Sequence, residues 1–320
     1  MSTTDPNAVL WGLVRGATAT KALGIAADLG IADLLADGPQ VVDELAAEVG
    51  AEPDTLNRIL RALASDSVFA EEKPRFFRNT DASVLLRRDS PGSWREFAHL
   101  FAGVFHAAIG ELDPSTTKPT FSRRFDNDFW SWLAGNPEER ATFDAAMAGG
   151  KERSSERLAA LDWRGDETVV DVGGGNGALL TALIGWLPRL SGVVFDLPET
   201  DRDEASLDDR ITFVAGNFFE GIPRGDAYVL SGILHDWDDE RATAILHAVR
   251  AAAPPGARLL VIDSVIEPGN DPSGAKWLDL LMLVLESGRE RTEPEWQALL
   301  EGAGFAVDRI EDGLIQARCR

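Results

Sequence analysis

The stretch Asp171-Val-Gly-Gly-Gly-Asn-Gly177 decides the fold of this 320-residue chain. It closes a predicted strand, Thr168–Val172, and opens a predicted helix, Leu179–Trp186. The glycines between them permit a tight turn and let a ligand approach the backbone closely. Strand, glycine turn and helix in this order predict the first unit of an α/β sheet with a ligand site at its edge.

Strands and helices alternate from Thr168 to the end of the chain, with helices expected between the first five strands. This predicts an α/β fold with a Rossmann-like, doubly wound parallel sheet. Only Glu311-Asp312-Gly313 joins the last two strands, which predicts an antiparallel hairpin because a parallel crossover needs a dozen residues or more. The predicted strands are Thr168–Val172, Gly192–Asp196, Ile211–Ala215, Asp226–Leu230, Arg258–Ser264, Phe305–Ile310 and Leu314–Arg318.

The chain before this sheet reads as helices followed by a two-stranded wing. The wing is Val68–Ala70 and Phe76–Arg78, and the order is typical of a winged helix. Residues 1–100 hold 15 acidic and 10 basic residues, a net charge of −5, so packing or dimerisation is favoured over DNA binding. The predicted helices are Ala17–Leu29, Ile31–Leu35, Val42–Val49 and Pro53–Ala64.

Three parts follow from these patterns. Residues 1–92 are expected to form a winged-helix-like dimerisation domain, and residues 162–320 a Rossmann-like catalytic domain. Between them, residues 93–161 are helical and rich in aromatic side chains, and we expect this linker to contribute to a ligand pocket.

Composition excludes several classes of function. A net charge of −22 argues against nucleic acid and against an anionic membrane surface. A single cysteine excludes a disulfide framework, and the four scattered histidines argue against a multi-histidine metal site. The polar first residues and the lack of an 18-residue apolar run predict a cytoplasmic protein.

The glycine turn and Asp196 together indicate an adenosine-containing cofactor. A carboxylate at the end of the second strand can accept hydrogen bonds from both ribose hydroxyls. Gly173, Gly175 and Ala178 also satisfy the G-x-G-x-x-A dinucleotide pattern, so a nicotinamide cofactor stays possible at this point. The terminal hairpin and the preceding helical domain argue against it, as does a histidine, His235, just past the fourth strand.

Several segments together resemble the class I S-adenosylmethionine-dependent methyltransferases related to plant caffeic-acid-type and bacterial polyketide O-methyltransferases. They are VVDVGGGNG, VVFDLP, GNFFEGIP, LHDWDDE, PPGARLLVID and GRERTEPEW, and the resemblance covers nearly the whole chain. It implies S-adenosylmethionine as cofactor, a small aromatic hydroxylated acceptor, a homodimer, and transfer without metal.

The resemblance also implies roles for single residues. His235 is expected to be the general base, with Asp263 and Glu290 flanking it. The implied cofactor contacts are Asp171, Gly173, Gly174, Gly175, Asp196, Leu197, Asn217, Phe218 and Ser231. The implied acceptor contacts are Phe129, Trp130, Met147, Trp277 and Met282.

The chain departs from the family at a few of these positions. Asn217 stands where the family usually has Asp, and the plant enzymes have Lys at the position of Ser231 and Glu at that of Asp263. These differences concern cofactor contacts and leave the reaction class unchanged.

Methylation of a phenol calls for a base that removes the hydroxyl proton, and histidine meets this need. A phenol has a pKa of about 10, whereas histidine titrates at about 6.5 and is a suitable proton acceptor near neutral pH. Simpler interpretations exist: His235 at a helix start, Glu290 in an exposed ion pair with its arginine neighbours, and Asp263 capping a turn.

Other functions stay open on the sequence alone. They are a nicotinamide-dependent oxidoreductase, a regulator that has kept only the fold, and a relative that catalyses decarboxylation or hydroxylation. The presence of His235 favours methylation. The sequence does not name the acceptor.

Overall fold

A computed structural model describes residues 5–149, 151–200 and 207–320. The chain groups into two compact units. One comprises Met1–Gly110 with Ala145–Gly149, and the other comprises Glu111–Asp144 with Gly150–Arg320. The division into three parts stays a prediction.

The first unit contains the predicted winged helix. Its helices are α1 (Pro6–Val14), α2 (Gly16–Asp28), α3 (Ile31–Leu34), α4 (Val42–Val49), α5 (Pro53–Ser65), α6 (Asp81–Val84), α7 (Arg95–Ala102) and α8 (Val104–Ile109). The four predicted helices are present, within a residue at each end. The wing has three strands, where two were predicted: β1 (Gln40–Val41), β2 (Phe69–Lys73) and β3 (Phe76–Asn79), in the antiparallel order β1-β3-β2.

Helix α5 shows why the sequence folds locally as expected. The Glu52 carboxylate accepts hydrogen bonds from the N–H groups of Asp54 and Thr55, and Pro53 occupies the first turn. Leu56 and Leu60 lie on one face and are buried in the core of this unit. Burial of that face, more than helix propensity, stabilises the helix.

The second unit is a seven-stranded sheet with helices on both faces. Its helices are α9 (Thr120–Phe125), α10 (Phe129–Gly135), α11 (Pro137–Ala148, whose last residues belong to the first unit), α12 (Lys151–Ala159), α13 (Ala178–Trp186), α14 (Asp239–Ala252), α15 (Gly274–Leu285) and α16 (Glu293–Gly302). Its strands are β4 (Thr168–Val172), β5 (Ser191–Asp196), β6 (Ile211–Ala215), β7 (Ala227–Ser231), β8 (Arg258–Ile262), β9 (Phe305–Glu311) and β10 (Leu314–Cys319).

The sheet has the order β6-β5-β4-β7-β8-β10-β9. The first five strands in this order pair in parallel, and β10 pairs antiparallel with both β8 and β9. The terminal hairpin is therefore confirmed; its turn places Asp312 and Gly313 at φ +49° and +79°. Strand order reverses at β4, so the carboxyl ends of β4, β5 and β7 meet at the position where open α/β sheets bind ligands.

The expected helix between β6 and β7 is absent, although every residue of this connection, 216–226, is described. Gly221 and Pro223 lie in its middle and oppose a helix, because glycine is costly in a helix and proline cannot donate its backbone hydrogen bond. Residues 201–206 of the connection between β5 and β6 lie outside the described residues.

None of the helices that the structure describes is both long and apolar enough to cross a bilayer.

Candidate active site

The glycine turn after β4 is held by the end of β5. Gly173 and Gly175 have φ values of +70° and +58°, which favour glycine. The Gly173 N–H donates to the Phe195 carbonyl at 2.8 Å, and the Gly175 N–H donates to Oδ2 of Asp196 at 2.7 Å. A Cβ on Gly175 would meet nothing within 4 Å, so open space lies beside this backbone.

Asp196 links the turn to the segment that follows β5. Its Oδ1 accepts hydrogen bonds from the Leu197 N–H at 2.6 Å and from the Thr200 hydroxyl at 2.8 Å. A carboxylate has about four acceptor positions, so three protein donors leave room for one ligand hydroxyl. Asp196 therefore organises the turn and keeps one acceptor position free of the three donors named here.

Asp171 lies directly beneath the turn. It is buried, and neither carboxylate oxygen has a hydrogen-bond partner within the described residues. Burial raises the pKa of Asp171 to about 7; the Asp196 carboxylate adds to this effect and the Lys151 ammonium opposes it. Buried polar atoms are normally paired, so these oxygens are suited to a donor that a ligand brings.

Lys151, at the start of α12, is a site residue that the sequence analysis missed. Its ammonium donates to the hydroxyl of Ser231, at the end of β7, over 3.1 Å. Burial lowers the pKa of Lys151, while the carboxylates of Asp171 and Asp263 oppose that shift. Lys151 begins the charged run KERSSER, which reads as a solvated helix face, so only the fold reveals its position.

The predicted adenine contacts lie after β6. The Asn217 side-chain carbonyl accepts the Phe219 N–H at 3.0 Å, which shapes the turn. The ring of Phe218 stands nearly perpendicular to that of Trp237, with centroids 6.0 Å apart. These residues follow β6 at the same carboxyl-end edge as the glycine turn.

His235 lies in a short 3₁₀ turn, Leu234–Asp236, just past β7. Its Nδ1 lies 2.6 Å from Oε1 of Glu290, and its Nε2 lies 3.5 Å from Oδ1 of Asp236. Glu290 is 1% exposed, so the interpretation of this residue as part of an exposed ion pair is wrong. Asp238 caps the following helix by accepting the Arg241 N–H, so helix capping and the histidine pair occur together.

Carboxylates surround His235 and favour its charged form. Burial alone lowers the pKa of His235, but the carboxylates of Asp263, Asp236 and Glu290 outweigh it and raise the pKa to about 10. Burial raises the pKa of Asp263 to about 7 and that of Asp236 to about 6, with His235 opposing both shifts. Within the described residues neither oxygen of Asp263 has a hydrogen-bond partner.

Arg291 holds the His235 turn in place. Its guanidinium is fully buried and donates to the carbonyls of Leu234 and Trp237, at 3.0 and 2.8 Å, and to Asp239 at 2.9 Å. Gly288 completes the fit, because a Cβ there would lie 2.1 Å from the His235 carbonyl oxygen. The segment from Gly288 to Arg291 thus fixes both the backbone and the ring of the histidine.

The five residues that we predicted to contact the acceptor differ in burial and in the compact unit to which they belong. Phe129 and Met282 are buried, Trp130 is half-buried, and Trp277 is 65% exposed on α15. Met147 lies on α11 in the other compact unit. A cavity of about 630 Å³ is lined by Lys151, Ser231, His235 and Asp263, among others.

Comparison with known proteins identifies the relatives of this arrangement. Residues 105–306 match an O-methyltransferase domain, and residues 11–89 match an O-methyltransferase dimerisation domain. A phenazine O-methyltransferase of Lysobacter antibioticus is 37% identical, over 95% of this chain and 92% of its own. A 3-amino-4-hydroxybenzoate 4-O-methyltransferase of Streptomyces cremeus is also 37% identical, over 93% of this chain and 85% of its own.

A solved structure agrees with these matches. The human N-acetylserotonin methyltransferase in complex with S-adenosylmethionine superposes with a TM-score of 0.90 at 27% identity, over 100% of this chain and 99% of its own. The similarity decides between the two cofactor classes that the glycine turn left open.

Replacing Arg291 with Met should destabilise the protein strongly. It would leave two buried carbonyl groups and one carboxylate without their donor, a loss of about 3 kcal/mol in the free energy of unfolding. Urea unfolding measures the effect, and Arg289→Met is the matched control. Arg289 is 44% exposed and ion-paired at the surface, so its loss should cost less than about 1 kcal/mol. Equal losses for the two variants would contradict the role assigned to Arg291.

Proposed function

The chain belongs to the family of S-adenosylmethionine-dependent O-methyltransferases, and on that premise we propose that it methylates a hydroxyl of a small aromatic molecule, with His235 as general base and no metal ion. The observation that carries the proposal is the 2.6 Å contact between Nδ1 of His235 and Oε1 of the buried Glu290. The contact leaves Nε2 as the nitrogen available to an acceptor.

The residues around the glycine turn fit the cofactor. Gly175 presents its backbone beside open space, and Asp196 retains an acceptor position for a ribose hydroxyl. Lys151 is the cation suited to the carboxylate of the methionine portion, because within the described residues its ammonium is hydrogen-bonded only to Ser231. Asp171, with two unpaired buried oxygens, suits the amino group of that portion. When bound, the cofactor supplies a methyl group that its sulfonium already activates.

His235 and Glu290 form an oriented proton acceptor. Glu290 fixes the ring and favours the charged imidazolium that results when the histidine accepts a proton, as an acid partner does for histidine in other enzymes. The two ring nitrogens then have different roles, because Nδ1 is occupied by Glu290 and Nε2 is left to face the hydroxyl of the acceptor.

The protonation state of the cluster matters for this role. The pKa values of His235, Asp263 and Asp236 are all raised, to about 10, 7 and 6, so the histidine binds a proton more tightly than either acid. The imidazole must therefore lose this proton before it can accept one from the acceptor, and the same carboxylates stabilise the imidazolium that forms when it does. Coupled groups of this kind titrate as a set, so the acidity of the site belongs to the cluster rather than to the histidine alone.

An aromatic acceptor is supported by the site and by the relatives. Phe129 and Trp130 begin α10, with ring centroids 5.3 Å apart, and Met282 is buried on α15. Two relatives are named for a phenazine and for an aminohydroxybenzoate, both aromatic. The match of residues 11–89 to a dimerisation domain supports a homodimer.

Asp196→Asn should weaken binding of S-adenosylhomocysteine by about tenfold, because the amide has one acceptor oxygen fewer and no charge. Calorimetry measures the affinity, and the rise in melting temperature that the ligand causes should shrink accordingly. Asp208→Asn is the control, since Asp208 pairs with Arg210 near the surface. Unchanged affinity in Asp196→Asn would remove this residue from the cofactor site.

His235→Ala should lower kcat by about 10²- to 10⁴-fold and leave affinity for S-adenosylhomocysteine nearly unchanged, because the base acts on the acceptor. The loss should be smaller for an acidic phenol, which is already partly ionised. Wild-type turnover of a weakly acidic phenol by His235→Ala would refute the assignment.

The same assignment fixes the pH dependence. The neutral imidazole is lost as pH falls through the pKa of His235, so kcat/KM should fall on the acidic side. Glu290 raises that pKa, and Glu290→Gln should therefore move this limb to lower pH as well as reducing the rate. A limb that stays in place would show that the pair does not control the proton.

Turnover should survive excess chelator, since the proposed reaction uses a histidine base and an activated methyl group. The test is activity after incubation with EDTA and gel filtration. Loss of activity that magnesium restores would assign the acids around His235 to a cation instead.

A further inference from the structure

Glu286 ends the helix that leads to the histidine pair. Its N–H donates to the Met282 carbonyl at 3.0 Å, as the last turn of α15 closes. Two residues later, Gly288 packs directly against the backbone of His235, and the Arg289 N–H donates to the His235 carbonyl at 2.8 Å. Glu286 therefore lies two residues before the segment that packs on the backbone of the proposed base.

The carboxyl group of Glu286 is buried without full pairing. The residue is 8% exposed, and its Oε1 has no hydrogen-bond partner within the described residues. One protein donor to this carboxyl is the Phe129 N–H. An unpaired buried acceptor destabilises a folded protein, so its presence beside a reactive site calls for a ligand that supplies the missing donor.

The charges around Glu286 also favour a ligand that brings a hydrogen-bond donor. Burial, followed by the carboxylates of Asp236 and Asp128, raises the pKa of Glu286 to about 8, while the Phe129 N–H and Arg241 oppose the shift. The Arg241 guanidinium also packs over the Trp237 ring, with its central carbon 4.8 Å from the ring centre, so its charge does not serve Glu286 alone. The two neighbouring acids therefore leave this corner short of hydrogen-bond donors and positive charge.

The position of this corner relates it to the acceptor. Oδ1 of Asp236 lies 3.5 Å from Nε2 of His235, on the side of the ring that Glu290 does not occupy. Phe129 and Met282, both proposed acceptor contacts, touch Glu286 through their backbones. The indole Nε1 of Trp130, the residue after Phe129, is also buried without a partner within the described residues.

We propose that Glu286 is a specificity-determining residue that selects acceptors bearing a hydrogen-bond donor, an amino group or a second hydroxyl, beside the hydroxyl that is methylated. The inference rests on the proposed function, since it needs the acceptor to lie against His235. Sites built to pair with a donor on the substrate discriminate strongly against analogues without it, because the buried protein group is then left unpaired.

The test compares two acceptors of nearly equal size, 1-amino-2-naphthol and 1-methyl-2-naphthol, with the full-length enzyme and S-adenosylmethionine. The wild type should favour the amino compound in kcat/KM by about tenfold or more. Glu286→Leu should abolish that preference, whereas Glu286→Gln, which keeps an acceptor oxygen, should retain part of it. Where turnover is too slow to measure, quenching of tryptophan fluorescence in the enzyme saturated with S-adenosylhomocysteine gives the ratio of affinities.

Stability separates this role from a structural one. If Glu286 serves a ligand, Glu286→Gln, which keeps an acceptor oxygen for the Phe129 N–H and removes a buried acid, should not lower the melting temperature of the free enzyme. A purely structural Glu286 predicts a lower melting temperature and an unchanged ratio. Glu301→Leu, at an exposed acid of α16, controls for the loss of one charge.

The outcomes separate a failure of the Glu286 proposal from a failure of the proposed methyltransferase function. Methylation of both naphthols with a ratio that Glu286→Leu does not change overturns the selectivity proposal and leaves the methyltransferase reaction standing. Neither binding nor methylation of the naphthols, together with full activity of His235→Ala on another acceptor, overturns both.

Discussion

The burial of Glu290 is the constraint on which the site depends. A carboxylate that is 1% exposed has lost nearly all its hydration and needs partners of opposite charge or hydrogen-bond donors. His235 supplies one to Oε1 at 2.6 Å, and Oε2 has no hydrogen-bond partner within the described residues. Because Glu290 precedes α16 and His235 precedes α14, this pairing joins two segments that are 55 residues apart in the chain.

Arg291 makes that pairing rigid. Its guanidinium binds the backbone of the His235 turn and packs against the Trp296 ring, with its central carbon 5.1 Å from the ring centre. A planar group with several fixed donors is suited to holding carbonyls in defined directions, which a lysine would not achieve. The turn is therefore determined twice, by its side-chain pair and by its backbone, so the ring is oriented before any ligand arrives.

Much of the fold follows from sequence, and the reason is local. The strands β4 and β6 and the helix α4 match their predicted limits because each is an apolar or amphipathic run that a glycine directly follows. The missing helix between β6 and β7 shows where this reasoning failed. The alternation of strands and helices predicted a helix there, although Gly221 and Pro223 oppose one. The third wing strand, β1, has only two residues and no pattern to reveal it.

The site was predicted less completely, since distance in space cannot be read from spacing. His235 and Glu290 were found through the resemblance, but Lys151, Arg291 and Glu286 were not. Each lies in a charged or ordinary stretch and gains meaning only from what the fold packs against it. Arg291 illustrates this, because in sequence it flanks Glu290 like its neighbour Arg289, and only burial separates the two.

The unpaired carboxyls show what the fold leaves for its ligands to complete. Asp171 lies near the end of β4, Asp263 directly follows β8, and Glu286 ends α15; each is buried and lacks a partner for at least one oxygen within the described residues. Such groups cost stability wherever they occur. Their presence near the glycine turn and the His235 segment is intelligible if a ligand pairs with them, because the free energy lost in the empty protein is then recovered on binding and adds to selectivity. Such an enzyme should bind its ligands most tightly where its own buried polar groups lack hydrogen-bond partners.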